Sequence, residues 1–321
     1  MIYLYLDENY VKMLGLKKTL LRQYEVIYFE KKHETQLINK GKIINTDLLA
    51  SAVKEALSLS SSKPINDKEI CLILPQEAFY FLRTEVPRDI APSAINPFIR
   101  DKVRSTLPAE IDNCLYDYFI RESDFQKVLT FYALDWETVT QYQQALSLID
   151  LKISFILPDT LAYFKLFEKT LRYEKKENIF YVSYEKNLLS GYLFDSYGLI
   201  EPTKWQFTSS DLKAEDILKE KAKKLEENKN KLNRIILSGP LSENIRQDTF
   251  TKAVGVWTNP LKRIIPNFYQ DYLKLLIVEG QKPFPILNLD VCFGAFIFHN
   301  ENKEFSLIKN LPKNKKIKSG P

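Results

Sequence analysis

Protein chemistry is concentrated in histidine, cysteine, clustered carboxylates and glycine-rich loops, and this 321-residue chain is thin in all of them. It has two histidines, His33 and His299, and neither stands near a cysteine or a carboxylate motif. That argues against a histidine-based metal site and against a Ser-His-Asp hydrolase. Cys71, Cys114 and Cys292 are odd in number and far apart, which fits neither a disulfide framework nor a zinc ribbon. Glycine occurs 9 times, where an average chain has about 7%. Loops that cradle phosphate need glycine for close backbone approach and unusual dihedrals, so the shortage removes most ways of holding a nucleotide. What remains is polar chemistry in turns: Asp7-Glu8-Asn9, the stretch Ser183-Tyr184-Glu185-Lys186-Asn187, and Ser238-Gly239-Pro240. The first two also read as ordinary hairpin turns.

These turns must be positioned by the elements around them. Apolar runs at 2–6, 10–16 and 24–30 predict three strands. A helix starts at Asn45 or Thr46, either of which could cap it, with apolar residues at 48, 49, 52, 53, 56 and 57 on one face. It ends at Ser60-Ser61-Ser62-Lys63-Pro64. The run 70–74, closed by Pro75, reads as a strand buried on both faces. The pattern then changes to a strand (78–86), a helix (93–107) that Pro97 starts or bends, two strands (116–121 and 128–134) and a helix (136–149). A helix from 157 to 171 follows, then a hairpin of 179–183 and 189–194 and a strand near 199. A charged helix is predicted over 211–231, its acids Asp211, Glu215 and Asp216 placed early as the helix dipole favours. A buried strand (235–237), a helix (269–278) and an apolar segment (291–298) complete the chain, without a repeat at a solenoid period. The class is α/β. The expected division is a first lobe (1–76), an inserted α/β subdomain (77–156), a return helix (157–178), a second lobe (179–298) and a tail (299–321).

Hydrophobic residues make up 45% and charged residues 27%, which argues against wholesale disorder. No apolar run reaches the roughly 18 residues that cross a bilayer, and residues 1–6 are too short for a signal h-region. A cytoplasmic location is expected. Much of the net charge of +5 comes from Lys313, Lys315, Lys316 and Lys318, which read as a solvated terminus or as an attraction to anionic lipid headgroups. No motif for reading nucleic acid is present.

This order of elements resembles actin-like proteins of the FtsA and PilM branch, and over about residues 1–298 the chain is similar to the type IV pilus assembly family PilM. The resemblance rests on Gly41-Lys42-Ile43-Ile44-Asn45 before the first helix, and on Leu74-Pro75, Arg83 to Pro87, Leu107-Pro108 and Asp117-Tyr118 in the insert. It also rests on Leu157-Pro158-Asp159-Thr160-Leu161-Ala162, Ile235-Ile236-Leu237-Ser238-Gly239 and Trp257-Thr258-Asn259-Pro260. It implies a two-lobed actin-like (ribonuclease H-like) fold. In the family, Asp-x-Gly turns hold a hydrated metal ion and phosphate, and a Gly-Gly turn approaches adenosine. Here Asp7 keeps the aspartate, but Asn9 replaces the glycine and Tyr10 and Val11 replace the hydroxyl residues. Glu185 stands in a stretch with neither Asp nor Gly, and Gly239 is followed by Pro240, which has no N–H. The resemblance therefore implies a vestigial nucleotide site at Asp7, Glu185, Ser238 and Gly239, with ATP and magnesium held weakly at most, no resident metal and no catalytic residue.

The family resemblance further implies a cytoplasmic scaffold, peripheral to the inner membrane through a partner. That partner is the tail of a PilN-like inner-membrane protein, bound in a groove between first lobe and insert. Phe98, Ile99 and Arg100 are its candidate contacts, and a pilus motor ATPase and a second copy of the chain are further candidate partners. The segment 305–312 resembles such a tail and is expected to occupy a groove in cis or on a neighbouring copy, or else to be a loose terminal strand. An active actin-like ATPase or sugar-kinase relative is one alternative. An FtsA-like membrane-associated cytoskeletal protein is the other, although 313–321 is short and polar for that branch's amphipathic helix.

Overall fold

The computed structural model describes residues 1–59, 67–108, 110–123, 126–172, 177–186, 188–208, 213–228 and 230–309. The helix stop at 60–64, Asp211, Asn187, and the sequence from 310 onward with its lysines lie outside them. The N-terminal apolar runs form an antiparallel meander, β1 (Ile2–Asp7), β2 (Tyr10–Lys18) and β3 (Tyr24–Lys32). A ribbon of β4 (Ile38–Asn39) and β5 (Lys42–Ile43) leads to α1 (Thr46–Leu59). Asn45 caps this helix: its Oδ1 accepts the Leu48 N–H at 2.9 Å. β6 (Glu69–Leu74) lies parallel to β1 and is buried on both faces, as its unbroken apolar run demands.

The insert comprises β7 (Tyr80–Glu85), α2 (Pro92–Thr106), β8 (Cys114–Glu122), β9 (Lys127–Asp135) and α3 (Trp136–Ser147). Its strands form an antiparallel sheet in the order β7-β9-β8. Pro97 lies inside α2. Strand side chains alternate between faces. Leu129, Phe131 and Ala133 pack with Ile99 and Val103 of α2, while Leu115, Tyr132 and Leu134 turn the other way into the main core.

β10 (Lys152–Pro158) returns beside β6, followed by α4 (Asp159–Phe167). The second sheet takes β11 (Ile179–Glu185), β12 (Leu188–Asp195), β13 (Gly198–Leu199), β14 (Trp205–Thr208), β15 (Arg234–Ser238) and β16 (Trp257–Pro260). Its order is β13-β12-β11-β15-β16, with β14 also on β12. α5 (Ala214–Glu227) and α6 (Gln247–Val254) pack on it through Leu218, Leu225, Phe250 and Val254. α7 (Leu261–Phe268), α8 (Gln270–Lys274), β17 (Leu276–Val278) and α9 (Asp290–Glu301) close the sequence of elements.

The structure corrects the sequence reading at this end. The expected helix 269–278 is a short helix followed by β17, which pairs parallel with β3 and completes the first sheet, β10-β6-β1-β2-β3-β17. The stretch expected as one second lobe, 179–298, therefore returns to the first lobe before it ends. The apolar segment 291–298 is the middle of α9, buried on every side and packed against α4, β1, β2 and β6. A helix apolar all round belongs in a core. A Cβ on Gly294 would lie 2.2 Å from the Ala162 carbonyl oxygen, so α4 and α9 touch backbone to backbone there.

Candidate functional site: the cleft between the sheets

The turns singled out in sequence meet where the two sheets face each other. Asp7 ends β1 and accepts the Tyr5 hydroxyl at 3.0 Å and the Glu8 N–H at 2.9 Å. Its Oδ2 also accepts the Nζ of Lys204, at 2.7 Å, from the segment between β13 and β14 in the second lobe. Burial alone would raise the Asp7 carboxyl, but the charge and hydrogen bond of Lys204 overcome it and hold the group below the usual carboxylate range. Glu185 ends β11 and is engaged in the same way. The buried Lys12 of β2 donates to its Oε1 at 3.1 Å and lies 3.4 Å from Glu30 Oε1. Burial would lower both lysines; their carboxylate neighbours win and raise them above the ordinary value.

Ser238, at the end of β15, is buried. Its Oγ donates to Asp290 Oδ2 at 2.5 Å, the same oxygen that accepts the Tyr181 hydroxyl at 2.6 Å. Asp290 opens α9, and its Oδ1 accepts the Val291 N–H at 2.7 Å, a placement the helix dipole favours. Burial nonetheless raises this carboxyl, against the opposing pull of Lys12. Gly239 has φ +86°, and a Cβ on it would lie 2.5 Å from both N and O of Tyr184. Its open side thus faces the protein's own β11 backbone. Behind these residues lies Asp159, fully buried, which accepts the Gln76 N–H at 3.0 Å and the Tyr192 hydroxyl at 3.2 Å. On the insert side, Arg83 pairs with Asp195 at 2.5 Å and donates to the Leu199 carbonyl at 2.7 Å, while Arg121 donates to the Tyr197 carbonyl at 3.1 Å. Among the described residues no group of three or more His, Cys, Asp or Glu side chains is placed to hold a metal ion.

Asp7 and Glu185 are thus each paired with a lysine of the other lobe, while Ser238 and Gly239 are packed against Asp290 and Tyr184. Sequence reasoning missed Lys12, Lys204, Asp290 and the depth of Asp159. Lys12 had a signal, a lone charge in the run Tyr10-Val11-Lys12-Met13-Leu14. Lys204 had none, because its partner lies 197 positions away.

The expected partner contacts are dispersed. Ile99 is buried in the core of the insert. Phe98 is half-buried with Lys102 Nζ 5.8 Å from its ring centroid, and Arg100 is exposed, 4.0 Å from Asp112. α2 covers the far face of the insert sheet, so it does not wall the groove against the first lobe. That groove is lined by β8, β9 and β10, and residues 305–309 of the same chain occupy it. Phe305 is buried and stacks on Phe119 with centroids 4.6 Å apart, edge-on to Tyr132 and Phe298. Leu307 is fully buried, and the Ser306 N–H donates to Asp117 Oδ2 at 2.7 Å. Residues 310–312 of the expected segment lie outside the described residues.

No protein-family model matches this chain, and no curated protein matches it. Solved structures do. The chain aligns with one from a PilM-PilN type IV pilus biogenesis complex at a TM-score of 0.65 and 14% identity, over 91% of this chain and 96% of that one. The fold is actin-like. Two looser matches are the cytoplasmic domain of EpsL, an inner-membrane component of the type II secretion system of Vibrio cholerae, and a Bacteroides thetaiotaomicron protein of actin-like ATPase fold and unknown function. The first has a TM-score of 0.49 and 10% identity over 96% and 98% of the two chains, the second a TM-score of 0.41 and 12% identity over 91% and 94%.

The residues in the cleft of this actin-like chain do not fit a magnesium nucleotide. Both carboxylates that would face a metal already hold a largely buried lysine of the protein. Gly239 is packed on Tyr184, and Pro240 offers no N–H to a phosphate or base. Among the described residues no helix is long and apolar enough to cross a membrane.

Proposed function

We propose that this chain is a docking scaffold of a type IV pilus or related secretion assembly. It sits at the cytoplasmic face of the inner membrane, engages the tail of a PilN-like membrane protein, and does not hydrolyse ATP. One observation carries this reading: the groove between insert and first lobe accommodates an apolar segment, with Phe305 and Leu307 buried and Asp117 accepting the Ser306 N–H. Aromatic and leucine pockets plus an acceptor for the peptide backbone are what recognition of a short segment requires. The structural likeness to a chain solved in a PilM-PilN complex supports the same reading. Lys12 and Lys204 support the absence of hydrolysis, since phosphoryl transfer needs metal, phosphate and an oriented water together.

The test is a chain carrying Phe305→Ala and Leu307→Ala, whose own segment no longer fills the groove, titrated with a fluorescent peptide of residues 302–312. Binding in the micromolar range, abolished by Phe119→Ala, is the expected result. No binding to the emptied groove would sink the docking reading. Calorimetry of the unaltered chain with Mg-ATP is expected to show no site tighter than about 100 µM, or about −5.5 kcal/mol. A tighter site would favour the active ATPase instead.

A further inference from the structure

The β2–β3 connection presents two leucines to solvent. Leu20 and Leu21 are 103% and 81% exposed, the most open large apolar side chains among the described residues. Single exposed leucines are common; two in succession at the apex of a well-formed turn are not explained by folding. The turn is closed by its own hydrogen bonds. Thr19 N–H and Oγ donate to the Gln23 carbonyl at 2.8 and 3.1 Å, and the Arg22 N–H donates to the Thr19 carbonyl at 3.2 Å. Arg22 has φ +60°, a conformation a non-glycine residue adopts uncommonly. The backbone is thus set in a shape that holds both leucines outward.

Cations ring them. Lys17, Lys18 and Arg22 are exposed around the apex, with Glu25 alone among the adjoining strand residues as counter-charge, 3.7 Å from Lys17. Lys17, Lys18, Leu20 and Leu21 border one shallow, open depression. The base of the hairpin is anchored, since Tyr24 N–H donates to the Leu275 carbonyl at 2.6 Å and the Gln23 amide to the Lys274 carbonyl at 3.3 Å. The apex also stands clear of the cleft. Ile2 pairs with Gly15, so β2 runs on past the start of β1 to the end of the sheet opposite Asp7.

We propose that this apex is a direct membrane contact, with Leu20 and Leu21 entering the headgroup–acyl boundary of an anionic bilayer and Lys17, Lys18 and Arg22 meeting its phosphates. Apolar side chains that insert shallowly beneath a belt of cations are the chemistry of a monotopic lipid contact. This adds a membrane site to a protein expected to reach the membrane only through a partner.

The experiment is flotation of the full chain with vesicles of neutral phosphatidylcholine alone or with 3:7 phosphatidylglycerol:phosphatidylcholine. The chain should float with the anionic vesicles and not the neutral ones. Leu20→Ser with Leu21→Ser should lower partitioning by about ten-fold or more, and Lys17→Gln with Lys18→Gln by roughly five-fold per lysine, recovering nothing at higher salt. The apex packs against no core, so unchanged thermal unfolding verifies that each variant is folded. Equal flotation of the leucine variant would place any lipid binding elsewhere, such as the lysines beyond residue 310, and overturn the proposal. So would a leucine variant that loses only self-association, seen by sedimentation, with no vesicle binding by the unaltered chain.

Discussion

Replacing Lys204 with methionine isolates the ion pair that ties the second lobe to the tip of β1. The Asp7 and Lys204 side chains are 18% and 10% exposed, so the pair is neither a surface contact nor fully dry. Removing one partner of a fully buried pair costs about 3–5 kcal/mol, because the other charge is left uncompensated. Discounted for the residual solvent, the expected loss is about 2–3 kcal/mol. At about 2.1 cal/mol/K per residue, the unfolding entropy of 321 residues is roughly 0.7 kcal/mol/K, so Tm should fall by about 3–5 °C. Asp7→Asn with Lys204→Met should be less destabilised than Lys204→Met alone, since no lone charge remains. The pH dependence has a definite sign. Asp7 is held low, so its contribution is complete above the unfolded carboxylate value near 3.9 and is lost as pH falls through the lower folded value. Lys204 is held high, so its contribution is complete below about 10.4 and is lost as pH rises through the higher folded value. In Lys204→Met, burial of Asp7, the largest influence on it, is opposed only by the hydrogen bonds from Glu8 N–H and the Tyr5 hydroxyl, so its carboxyl moves up. The stability gap between variant and parent should then narrow as pH falls from 7 toward the unfolded carboxylate value near 3.9, because only the variant's Asp7 takes up its proton in the folded state before the unfolded one. Scanning calorimetry of the unaltered chain, Lys204→Met, Asp7→Asn and the double variant across pH reads all of this. A Lys204→Met variant within 1 °C of the parent, or a double variant as damaged as the sum of the singles, would refute the reasoning.

Gly294→Ala should destabilise by at least the upper part of the roughly 1–3 kcal/mol range for overpacking, read as a lower denaturant midpoint, because its Cβ would meet the Ala162 carbonyl oxygen at 2.2 Å. Ser238→Ala removes one donor from the buried Asp290 and should cost about 1–3 kcal/mol by the same measurement, with no new cavity of consequence. Asp117→Ala deprives the Ser306 N–H of its acceptor, so amides of residues 304–309 should exchange with deuterium faster than in the parent while β8 and β9 stay protected.

Local pattern was enough for most elements. Alternation and apolar runs placed β1–β3, β6, the insert strands and β11–β12 to within a few residues, and Asn45 announced α1, because strand and helix periods are properties of neighbouring residues. The motif residues Asp7, Glu185, Ser238 and Gly239 were also legible, as the polar turns that close those strands. What their surroundings are was not. Whether Asp7 faces a cation in solution or Lys204, whether Ser238 meets a ligand or Asp290, and whether 305–309 hangs free or fills the groove on Phe119 depend on residues between 50 and about 200 positions apart. The same holds for β17, three residues whose strand character comes from pairing with β3, and for α9, whose apolar surface has no period to read because every side of it is enclosed. Side-chain spacing is written in the chain; the partner across a cleft is decided only when distant segments pack and water is excluded between them.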